Sequence, residues 1–233
     1  MEKRRVLLKL SGEALAGEKH FGFDEQITRG VAQQVKEAVD AGVQVAVVIG
    51  GGNFWRGRSS GSMDRVRADQ IGMLATVMNA IYVSDIFRTE GMRTQIYTPF
   101  LCGSMTRLFS KFDAMEDLEA GKVVFFAGGT GHPYFSTDTG VVLRAVEMEA
   151  DEILLAKAVD GVYDSDPAKN PDAKKFDTIS IDEVVRLGLK VVDTTASALA
   201  QENRMPMAVF SLNEEKSISR AMMGDINGTR ITV

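Results

Sequence analysis

The stretch that decides the fold is V-A-V-V-I-G-G-G-N-F-W-R-G, residues 45–57. Its first five residues form an unbroken apolar run rich in β-branched side chains, which is typical of a strand buried between two layers of helices. The glycines Gly50–Gly52 follow, and they let a ligand approach the main chain closely. Arg56 indicates that this ligand is an anion such as phosphate, although a glycine-rich turn beside a surface arginine would give the same pattern.

The composition is that of an ordinary globular protein. Of its 233 residues, 45% are hydrophobic and 25% are charged, which suffices for a full core. The net charge of -5 argues against a general nucleic-acid-binding protein. The single cysteine, Cys102, excludes an intrachain disulfide, and with two histidines a histidine-rich metal site is not expected. The N-terminal apolar segment is too short for a signal peptide, and no run approaches the roughly 20 residues of a membrane span, so we expect a cytoplasmic protein with no membrane partner.

Strands and helices are predicted to alternate along the chain. Strands are expected at residues 6–10, 43–49, 93–97, 123–127, 152–156, 207–210 and 228–233. Helices are expected to start at or just after Asp24, Ala68, Thr139, Asp182, Asp193 and Ser217, and a helix with a break is expected over 104–118. Residues 17–22 are predicted to form a loop, and residues 168–177 an exposed hairpin or loop. This order predicts an α/β protein, a three-layer αβα sandwich with a mostly parallel central sheet, in one domain spanning 1–233.

Lys9 is a charged residue near the end of the first apolar strand. Lysines are rarely buried without a partner, so Lys9 either reaches solvent or meets an anion, to which Ser11 and Gly12 could add backbone N–H groups. A right-handed βαβ crossover places the ends of the first two strands at one edge of the sheet, which brings Lys9 and Arg56 together there.

The common nucleotide-binding motifs are absent. The nearest match to a Walker A loop, Gly12 to Gly17, is followed by Glu18 instead of lysine. The dinucleotide fingerprint fails at both glycine-rich loops, 50–52 and 128–131. Two strands nevertheless end in glycine-rich loops, and this pattern indicates a protein that binds two phosphate-bearing groups. A Ser-His-Asp or Cys-His hydrolase is poorly supported, because the chain has no G-x-S-x-G sequence.

Phosphoryl transfer fits these parts, because it needs positioning and neutralised charge more than covalent catalysis. Lys9 and Arg56 could bracket the transferring group. Asp138 and Asp166 could hold Mg²⁺ through water or orient Lys9, and no direct ligation of the metal by the protein is predicted. Each aspartate taken alone is more typical of a helix cap or a turn than of a metal or lysine partner.

Five motifs, in this order, carry a resemblance to one family: K-L-S-G-E-A-L (9–15), V-V-I-G-G-G-N-x-x-R-G (47–57), A-D-Q-I-G-M-L-A-T-V-M-N (68–79), G-T-G-x-P-x-x-x-T-D (129–138) and V-D-G-V-Y-x-x-D-P (159–167). Together the motifs, which span most of the chain, resemble those of the bacterial UMP kinases of the amino acid kinase superfamily. The first and last motifs are shared across the superfamily, whereas the R-G loop and the 68–79 helix are specific to the UMP kinases.

The resemblance implies the reaction ATP + UMP → ADP + UDP with Mg²⁺, in pyrimidine nucleotide biosynthesis. It implies catalytic roles for Lys9, Arg56 and Asp138. The implied ATP contacts are Lys9, Leu10, Ser11, Gly12, Gly52, Arg56, Lys157, Tyr163 and Asp166. The implied UMP contacts are Gly51, Asp69, Thr130, Gly131, His132, Pro133, Tyr134, Phe135, Ser136 and Thr137. Residues 1–150 would form the UMP lobe with the oligomer interface, and 151–233 the ATP lobe.

The resemblance further implies a homohexamer built as a trimer of dimers, with GTP as activator and UTP as inhibitor. The segment implied near the GTP site and the interfaces comprises Gly17, Glu18, Lys19, His20, Phe21 and Gly22. The sequence departs from many relatives at L-L-A-K-A-V-D, residues 154–160, where the lysine occupies a different position. The role of Lys157 beside the adenine of ATP therefore rests on a weaker match than the role of Lys9.

Three other functions are compatible with parts of the sequence. A sister kinase acting on a carboxylate or carbamate would share Lys9 and Asp166 but would not need the Asp69 helix. A nucleotide-binding regulator or an oxyanion-storage protein would not need Lys9, Arg56 and Asp138 together. A nicotinamide dehydrogenase is disfavoured by the failed glycine fingerprint.

Overall fold

The central feature of the computed structural model, which describes residues 3–55 and 61–233, is a nine-stranded sheet. Its strand order is β4-β3-β5-β2-β1-β6-β10-β11-β9. The strands are β1 (Arg5–Leu10), β2 (Gln44–Ile49), β3 (Thr94–Thr98), β4 (Arg107–Leu108), β5 (Val123–Phe126), β6 (Glu152–Lys157), β9 (Thr178–Ser180), β10 (Met207–Ser211) and β11 (Gly228–Thr232), and a separate antiparallel pair is formed by β7 (Val162–Tyr163) and β8 (Lys175–Phe176).

Helices cover both faces of the sheet. They are α1 (Gly12–Ala16), α2 (Glu25–Asp40), α3 (Arg65–Thr89), α4 (Lys111–Glu119), α5 (Thr137–Glu147), α6 (Ile181–Arg186), α7 (Thr194–Glu202) and α8 (Ser217–Met222). Apolar residues of α2, α3 and α8 pack in one core, and those of α4, α5, α6 and α7 pack in the other. The predicted three-layer α/β sandwich is confirmed.

The β2 strand shows why the apolar runs form central strands. All six of its residues are buried. Val45, Val47 and Ile49 face one core, whereas Ala46 and Val48 face the other. Because successive side chains of a strand point to opposite faces, only an unbroken apolar run can fill both cores. Each fully buried aliphatic side chain stabilises the fold by about 1.5–3 kcal/mol.

Side-chain caps set the helix starts. Asp24 accepts hydrogen bonds from the N–H groups of Gln26 and Ile27, and Asp193 accepts one from Ala196, as predicted. The helix predicted from Asp182 is present and begins one residue earlier, at Ile181, because Ser180 caps α6 by accepting from the N–H of Glu183. The predicted 17–22 loop contains a 3₁₀ turn at Gly17–Lys19.

The predicted broken helix over 104–118 is wrong in its first half. Arg107 and Leu108 pair with β3 as the edge strand β4, and Ser110 then caps α4 by accepting from the N–H of Asp113. The sheet is also less regular than the alternation suggests, because β10 pairs with β11 in the antiparallel direction. The 168–177 segment, predicted to be an exposed hairpin or loop, contributes β8 to a hairpin whose other strand, β7, precedes the segment.

The α3 helix differs from the expectation that no apolar run approaches a membrane span. By length and composition Arg65–Thr89 could cross a membrane, although half of its most apolar window is buried inside the protein. A long core helix passes the same test, and Val77, Val83 and Phe87 of α3 pack in the core that it shares with α2.

The topology places the functional edge. β1 lies between β2 and β6 and is parallel to both. The sheet continues through β2, β5, β3 and β4 on one side of β1 and through β6, β10, β11 and β9 on the other, so the strand order reverses at β1. Crevices outside the carboxyl ends of parallel strands at such a reversal are the usual ligand sites of α/β folds. Lys9, Gly50–Gly52, Gly128–Gly129 and Lys157 all lie at this edge.

Candidate active site

A polar cavity of about 370 Å³ opens beyond the ends of β1, β2 and β5. Its lining comprises Lys9, Ser11, Gly12, Gly50, Gly51, Gly52, Trp55, Arg65, Ala68, Asp69, Gly72, Met73, Thr76, Gly129, Thr130, His132, Phe135, Ser136, Thr137, Asp138 and Asp193. We call it the polar cavity. It combines cations, carboxylates and bare backbone, which are the groups that bind a charged ligand.

Lys9 and Asp138 meet in this cavity. The Lys9 Nζ lies 3.1 Å from Asp138 Oδ1, and the side chains are 16% and 24% exposed. Asp138 stands in the first turn of α5, whose N-terminus faces the cavity and adds partial positive charge. The structure therefore brings together the lysine and the aspartate expected to orient it.

The glycines of the cavity floor allow close packing of backbone segments. A Cβ on Gly12 would lie 2.3 Å from the Gly50 carbonyl oxygen and 2.4 Å from Asn53 Oδ1. A Cβ on Gly51 would lie 2.9 Å from both the Cβ of Ala75 and the carbonyl oxygen of Gly72. Side chains at these two positions would push the loops after β1 and β2 away from each other and from α3.

Asp69 lies at the far side of the cavity, on the first turns of α3. Its Oδ2 accepts from Arg65 Nε at 2.8 Å and from the Tyr134 N–H at 2.8 Å. The Arg65 guanidinium also lies over the Tyr134 ring, 5.4 Å from the centroid. Arg65 was not among the predicted site residues, and its i,i+4 spacing to Asp69 is the pattern that could have found it.

Only part of the predicted UMP-binding segment 130–137 lines the polar cavity. Thr130, His132 and 135–137 line the polar cavity. Gly131, Pro133 and Tyr134 are not among the described lining residues, and the Tyr134 side chain is 67% exposed with φ of 70°. Tyr134 nevertheless reaches the site through its main chain, because its N–H donates to Asp69.

Asp193 joins the site from the distant α7 and was not predicted as a site residue. It accepts from the Ser136 hydroxyl through Oδ2 and from the Thr139 hydroxyl through Oδ1 at 3.5 Å. Ser136 in turn caps α5, accepting from the N–H of Thr139 at 3.1 Å. The pair fixes the helix start that carries Asp138. Sequence reasoning identified Asp193 only as a helix cap, because nothing local marks its long-range contact.

A second, more apolar cavity of about 470 Å³ lies beyond β6 and β10. Its lining comprises Lys157, Val159, Gly161, Val162, Tyr163, Asp164, Ser165, Asp166, Pro167, Lys169, Leu187, Gly188, Leu189, Lys190, Val191 and Val209. We call it the apolar cavity. Its valine and leucine walls suit a flat, weakly polar ring better than a phosphate.

Lys157 links the two cavities. Its Nζ donates to the Val191 carbonyl oxygen in the apolar cavity. Burial lowers the pKa of Lys157, while the Asp138 carboxylate raises it and the Lys9 ammonium lowers it further. The charges of Asp138 and Lys9 in the polar cavity therefore both act on Lys157. Lys157 thus forms a hydrogen bond in the apolar cavity and interacts electrostatically with residues of the polar cavity.

The remaining predicted ATP contacts divide between the cavities. Tyr163 and Asp166 line the apolar cavity, where the Tyr163 hydroxyl donates to Asp160 Oδ1 at 2.7 Å. Asp166 accepts from the Ala168 N–H at 3.0 Å and is a turn residue. The suggestion that Asp166 could orient Lys9 is wrong, because Asp138 holds that position. The Leu10 side chain is fully buried, which leaves only its backbone for a ligand.

Two predicted regions lie elsewhere. Arg56, expected beside Lys9, falls outside the described residues. The segment 17–22 lines neither cavity in the described part of the chain. Among residues 3–55 and 61–233, no group of three or more histidine, cysteine, aspartate or glutamate side chains is arranged to hold a metal ion.

Known proteins match the chain over its whole length. The amino acid kinase family model matches residues 4–211. The structure is similar to UMP kinase from Bacillus anthracis, with 35% identity, a TM-score of 0.94 and coverage of 100% of this chain and 97% of that one. It is similar to UMP kinase from Ureaplasma parvum, with 33% identity, a TM-score of 0.94 and full coverage of both chains. Uridylate kinase from Archaeoglobus fulgidus is 26% identical, with a TM-score of 0.75 over 97% of this chain and 99% of that one. The chain is an enzyme that belongs to the amino acid kinase family.

Proposed function

We propose that the chain is a UMP kinase that transfers the γ-phosphoryl group of Mg-ATP to UMP, giving ADP and UDP for pyrimidine nucleotide synthesis. The observation that carries the proposal is the Lys9–Asp138 pair in the polar cavity, with Lys157 connecting it to the apolar cavity. The similarity to bacterial UMP kinases at 33–35% identity supports the same acceptor.

The apolar cavity would hold the adenine of ATP. Val162, Leu189 and Val209 offer apolar contact to a base, and Tyr163 and Asp166 stand beside them. From there the triphosphate would pass Lys157 toward Lys9, Ser11, Gly12 and Gly52. Residues 151–233 would then form the ATP lobe, and the ATP phosphates would reach into the first half of the chain.

The polar cavity would hold UMP. Asp69 would accept the ribose hydroxyls, and Gly51 would offer its N–H to the phosphate. Residues 130–137 would enclose the rest of the nucleotide. A carboxylate placed to accept hydroxyls favours UMP over a carboxylate or carbamate substrate, which has no ribose to bind.

Transfer would occur beside Lys9. A phosphate oxygen of UMP, already anionic, attacks the γ-phosphorus in line, and the bond to the bridging oxygen of ADP breaks, so no general base is needed. Lys9 and the N-terminus of α5 would neutralise the equatorial oxygens, with Arg56 as a second cation. Asp138 would keep the Lys9 ammonium directed at this point.

The residues present fit a magnesium ion that arrives with ATP. Mg²⁺ usually keeps several waters and takes one or two carboxylates, and Asp138 and Asp193 line the same polar cavity. When bound, Mg²⁺ would neutralise charge on the ATP phosphates. Asp138 and Asp193 would hold it through water.

The test is a coupled ADP-release assay with Mg-ATP and UMP, CMP, dUMP, acetylglutamate, aspartate or carbamate as acceptor. We expect turnover with UMP at least about 100-fold above every other acceptor, because binding groups left unpaired by a wrong ligand discriminate strongly. Preferred turnover of a carboxylate or carbamate would make the chain a sister kinase. Nucleotide binding without turnover would make it a regulator or storage protein.

The assembly we propose is a homohexamer formed as a trimer of dimers. On α3, Ile71, Leu74, Met78 and Ile81 form an apolar stripe, each 37–53% exposed, that suits the matching stripe of a second copy. A separate group, Leu101, Met105, Leu108 and Phe112, is 52–78% exposed around β4 and α4. Two separate apolar faces support an assembly larger than a dimer.

Sedimentation velocity at micromolar concentration tests the assembly. We expect a hexamer for the wild type, dimers for Phe112→Glu, and species smaller than a hexamer for Leu74→Glu, with Glu37→Gln on the helix α2 as a surface control. A monomeric wild type would contradict the assembly. Activation by GTP and inhibition by UTP, proposed for the 17–22 segment, are tested by initial rates with each nucleotide added.

A further inference from the structure

Two fully buried asparagines, Asn53 and Asn79, form a reciprocal pair beneath the polar cavity. Asn53 Nδ2 donates to Asn79 Oδ1 at 3.0 Å, and Asn79 Nδ2 donates to Asn53 Oδ1 at 2.7 Å. Their side chains are 1% and 0% exposed. Neither asparagine lines the cavity, so neither can touch a substrate in it.

Backbone carbonyls on either side fix the orientation of both amides. Asn79 Nδ2 also donates to the Gly50 oxygen at 2.7 Å, and Asn53 Nδ2 also donates to the Gly22 oxygen at 2.8 Å. A carbonyl oxygen can only accept, so the atom facing it must be nitrogen in each case. All four amide hydrogens are then used, and no donor is left unpaired in the core.

The pair sets the direction of the glycine-rich loop. Its Asn79 amide holds the Gly50 carbonyl oxygen against α3, while Gly50 itself lines the polar cavity. The Gly50 N–H is held from the other side by the Leu10 oxygen at 3.0 Å. The Gly50 N–H and carbonyl groups are thus both held, which fixes the start of the loop that carries the N–H groups of Gly51 and Gly52.

The same pair ties the loop to the segment 17–23. The Gly22 N–H donates back to the Asn53 oxygen at 3.3 Å. Phe54, the next residue, packs edge-on against Phe21 and Phe23, and Phe23 stacks on Tyr82 of α3. The glycine-rich loop, the 17–23 segment and α3 therefore meet at Asn53.

We propose that Asn53 and Asn79 are positioning residues that hold the Gly50–Gly52 backbone in the arrangement needed for phosphoryl transfer. The proposal rests on the proposed function, because it assigns these glycine N–H groups to phosphates. The amides act through the loop and touch no substrate. A purely structural pair would contribute to stability and leave the turnover of each folded molecule unchanged.

Asn79→Asp tests this directly, because it keeps the shape while replacing both donors with an acceptor that repels the Gly50 oxygen. We expect kcat per folded molecule to fall roughly 30-fold, because small misplacements of catalytic groups are costly. KM for UMP and ATP should stay within about threefold, since the ribose and adenine contacts are on other elements. Should this variant not fold, Asn53→Asp, which keeps the Asn79 bond to Gly50, is expected to lose roughly 10-fold in kcat.

Trp55 gives a readout that does not depend on turnover. It is the only tryptophan, it lines the polar cavity, its main-chain N–H donates to the Gly51 oxygen at 3.0 Å, and its indole N–H donates to the Ala68 oxygen at 2.9 Å. We expect its emission maximum to shift in Asn79→Asp. The matched control is Tyr97→Phe, which removes another buried bond, from Tyr97 Oη to Asp117 at 2.9 Å, at a residue lining neither cavity. The Tyr97→Phe control should lower Tm and change neither kcat nor the Trp55 emission maximum.

The outcomes separate the two proposals. A kcat within threefold of wild type, a loss that only follows the unfolded fraction, or an unchanged Trp55 emission in the asparagine variant overturns the positioning role. A wild type that does not phosphorylate UMP overturns the proposed function instead. In that case the emission shift alone decides whether the pair positions the loop.

Discussion

The polar and apolar cavities lie at the same edge of one sheet, yet they are built in opposite ways. The polar cavity is formed by glycine backbone, cations and carboxylates at the ends of β1, β2 and β5. The apolar cavity is walled by valines and leucines beyond β6 and β10. In the proposed reaction this difference would divide the substrates, with the phosphates bound where backbone N–H groups converge and the base bound where apolar walls meet.

The largest effect is expected from removing the charge at the centre of the polar cavity. Lys9→Ala should lower kcat by about 10²–10³-fold, because a donor to developing charge is lost, while KM for UMP stays within about threefold. Steady-state rates against Lys36→Ala, a lysine paired with Asp40 on the surface of α2, provide the comparison. A Lys9 variant with wild-type kcat would remove the catalytic role from this cavity.

Lys157 tests whether the two cavities share one ligand. Lys157→Met should raise KM for ATP about 10-fold or more and leave KM for UMP nearly unchanged, since a charge-assisted contact is worth about 1.5–3 kcal/mol. Lys174→Met, an exposed lysine beside the β7–β8 hairpin, is the control. Equal effects on both substrates would mean that the cavities are not divided between donor and acceptor.

The lowered pKa of Lys157 predicts that ATP binding is coupled to proton uptake in the alkaline range. Because its folded pKa lies below the ordinary value of 10.5, the ligand-free protein loses this proton at a lower pH than a free lysine would. Binding of the ATP phosphates should restore the charge and take up a proton in the alkaline range below pH 10.5. Calorimetry in buffers of different ionisation enthalpy should detect this uptake, and Lys157→Met should abolish it.

Asp69 tests the acceptor side. Asp69→Asn should raise KM for UMP about 10-fold with little change for ATP, because the amide cannot accept both ribose hydroxyls as a carboxylate does. Asp85→Asn, an exposed aspartate further along α3, should leave both values unchanged. A larger effect on ATP than on UMP would move this helix out of the acceptor site.

The smallest effect is expected at the contact between α5 and α7. Ser136→Ala removes the α5 cap and the bond to Asp193, so we expect a loss of about 1 kcal/mol in stability and roughly a threefold to tenfold lower kcat. Ser110→Ala removes the equivalent cap of α4 and should reduce Tm without reducing kcat. Matching losses of kcat in both variants would show that the Asp193 contact has no special role.

The sequence predicted the fold well where one pattern determines one structure. The apolar runs of β1, β2, β5 and β6 can only be buried strands, and the residues after them reach the same edge by topology alone. The first half of 104–118 failed because Arg107 and Leu108 become a strand only by pairing with β3. Such pairing depends on residues distant in the chain.

The site was predictable in part for the same reason. Lys9 could be identified because it lies near the end of an apolar strand, and Asp138 because it follows a glycine-rich loop, and the two side chains do meet. Asp193 and the Asn53–Asn79 pair could not be identified, because their partners lie 57 and 26 residues away and neither has a local signature. Long-range polar contacts need the fold before they can be recognised.

The most direct test of the divided site is a crystal structure with UMP and a non-hydrolysable ATP analogue bound together. We expect the ribose of UMP at Asp69, the adenine between Val162 and Leu189, and the two phosphate chains meeting beside Lys9. Adenine in the polar cavity, or both nucleotides bound away from Lys9, would contradict it.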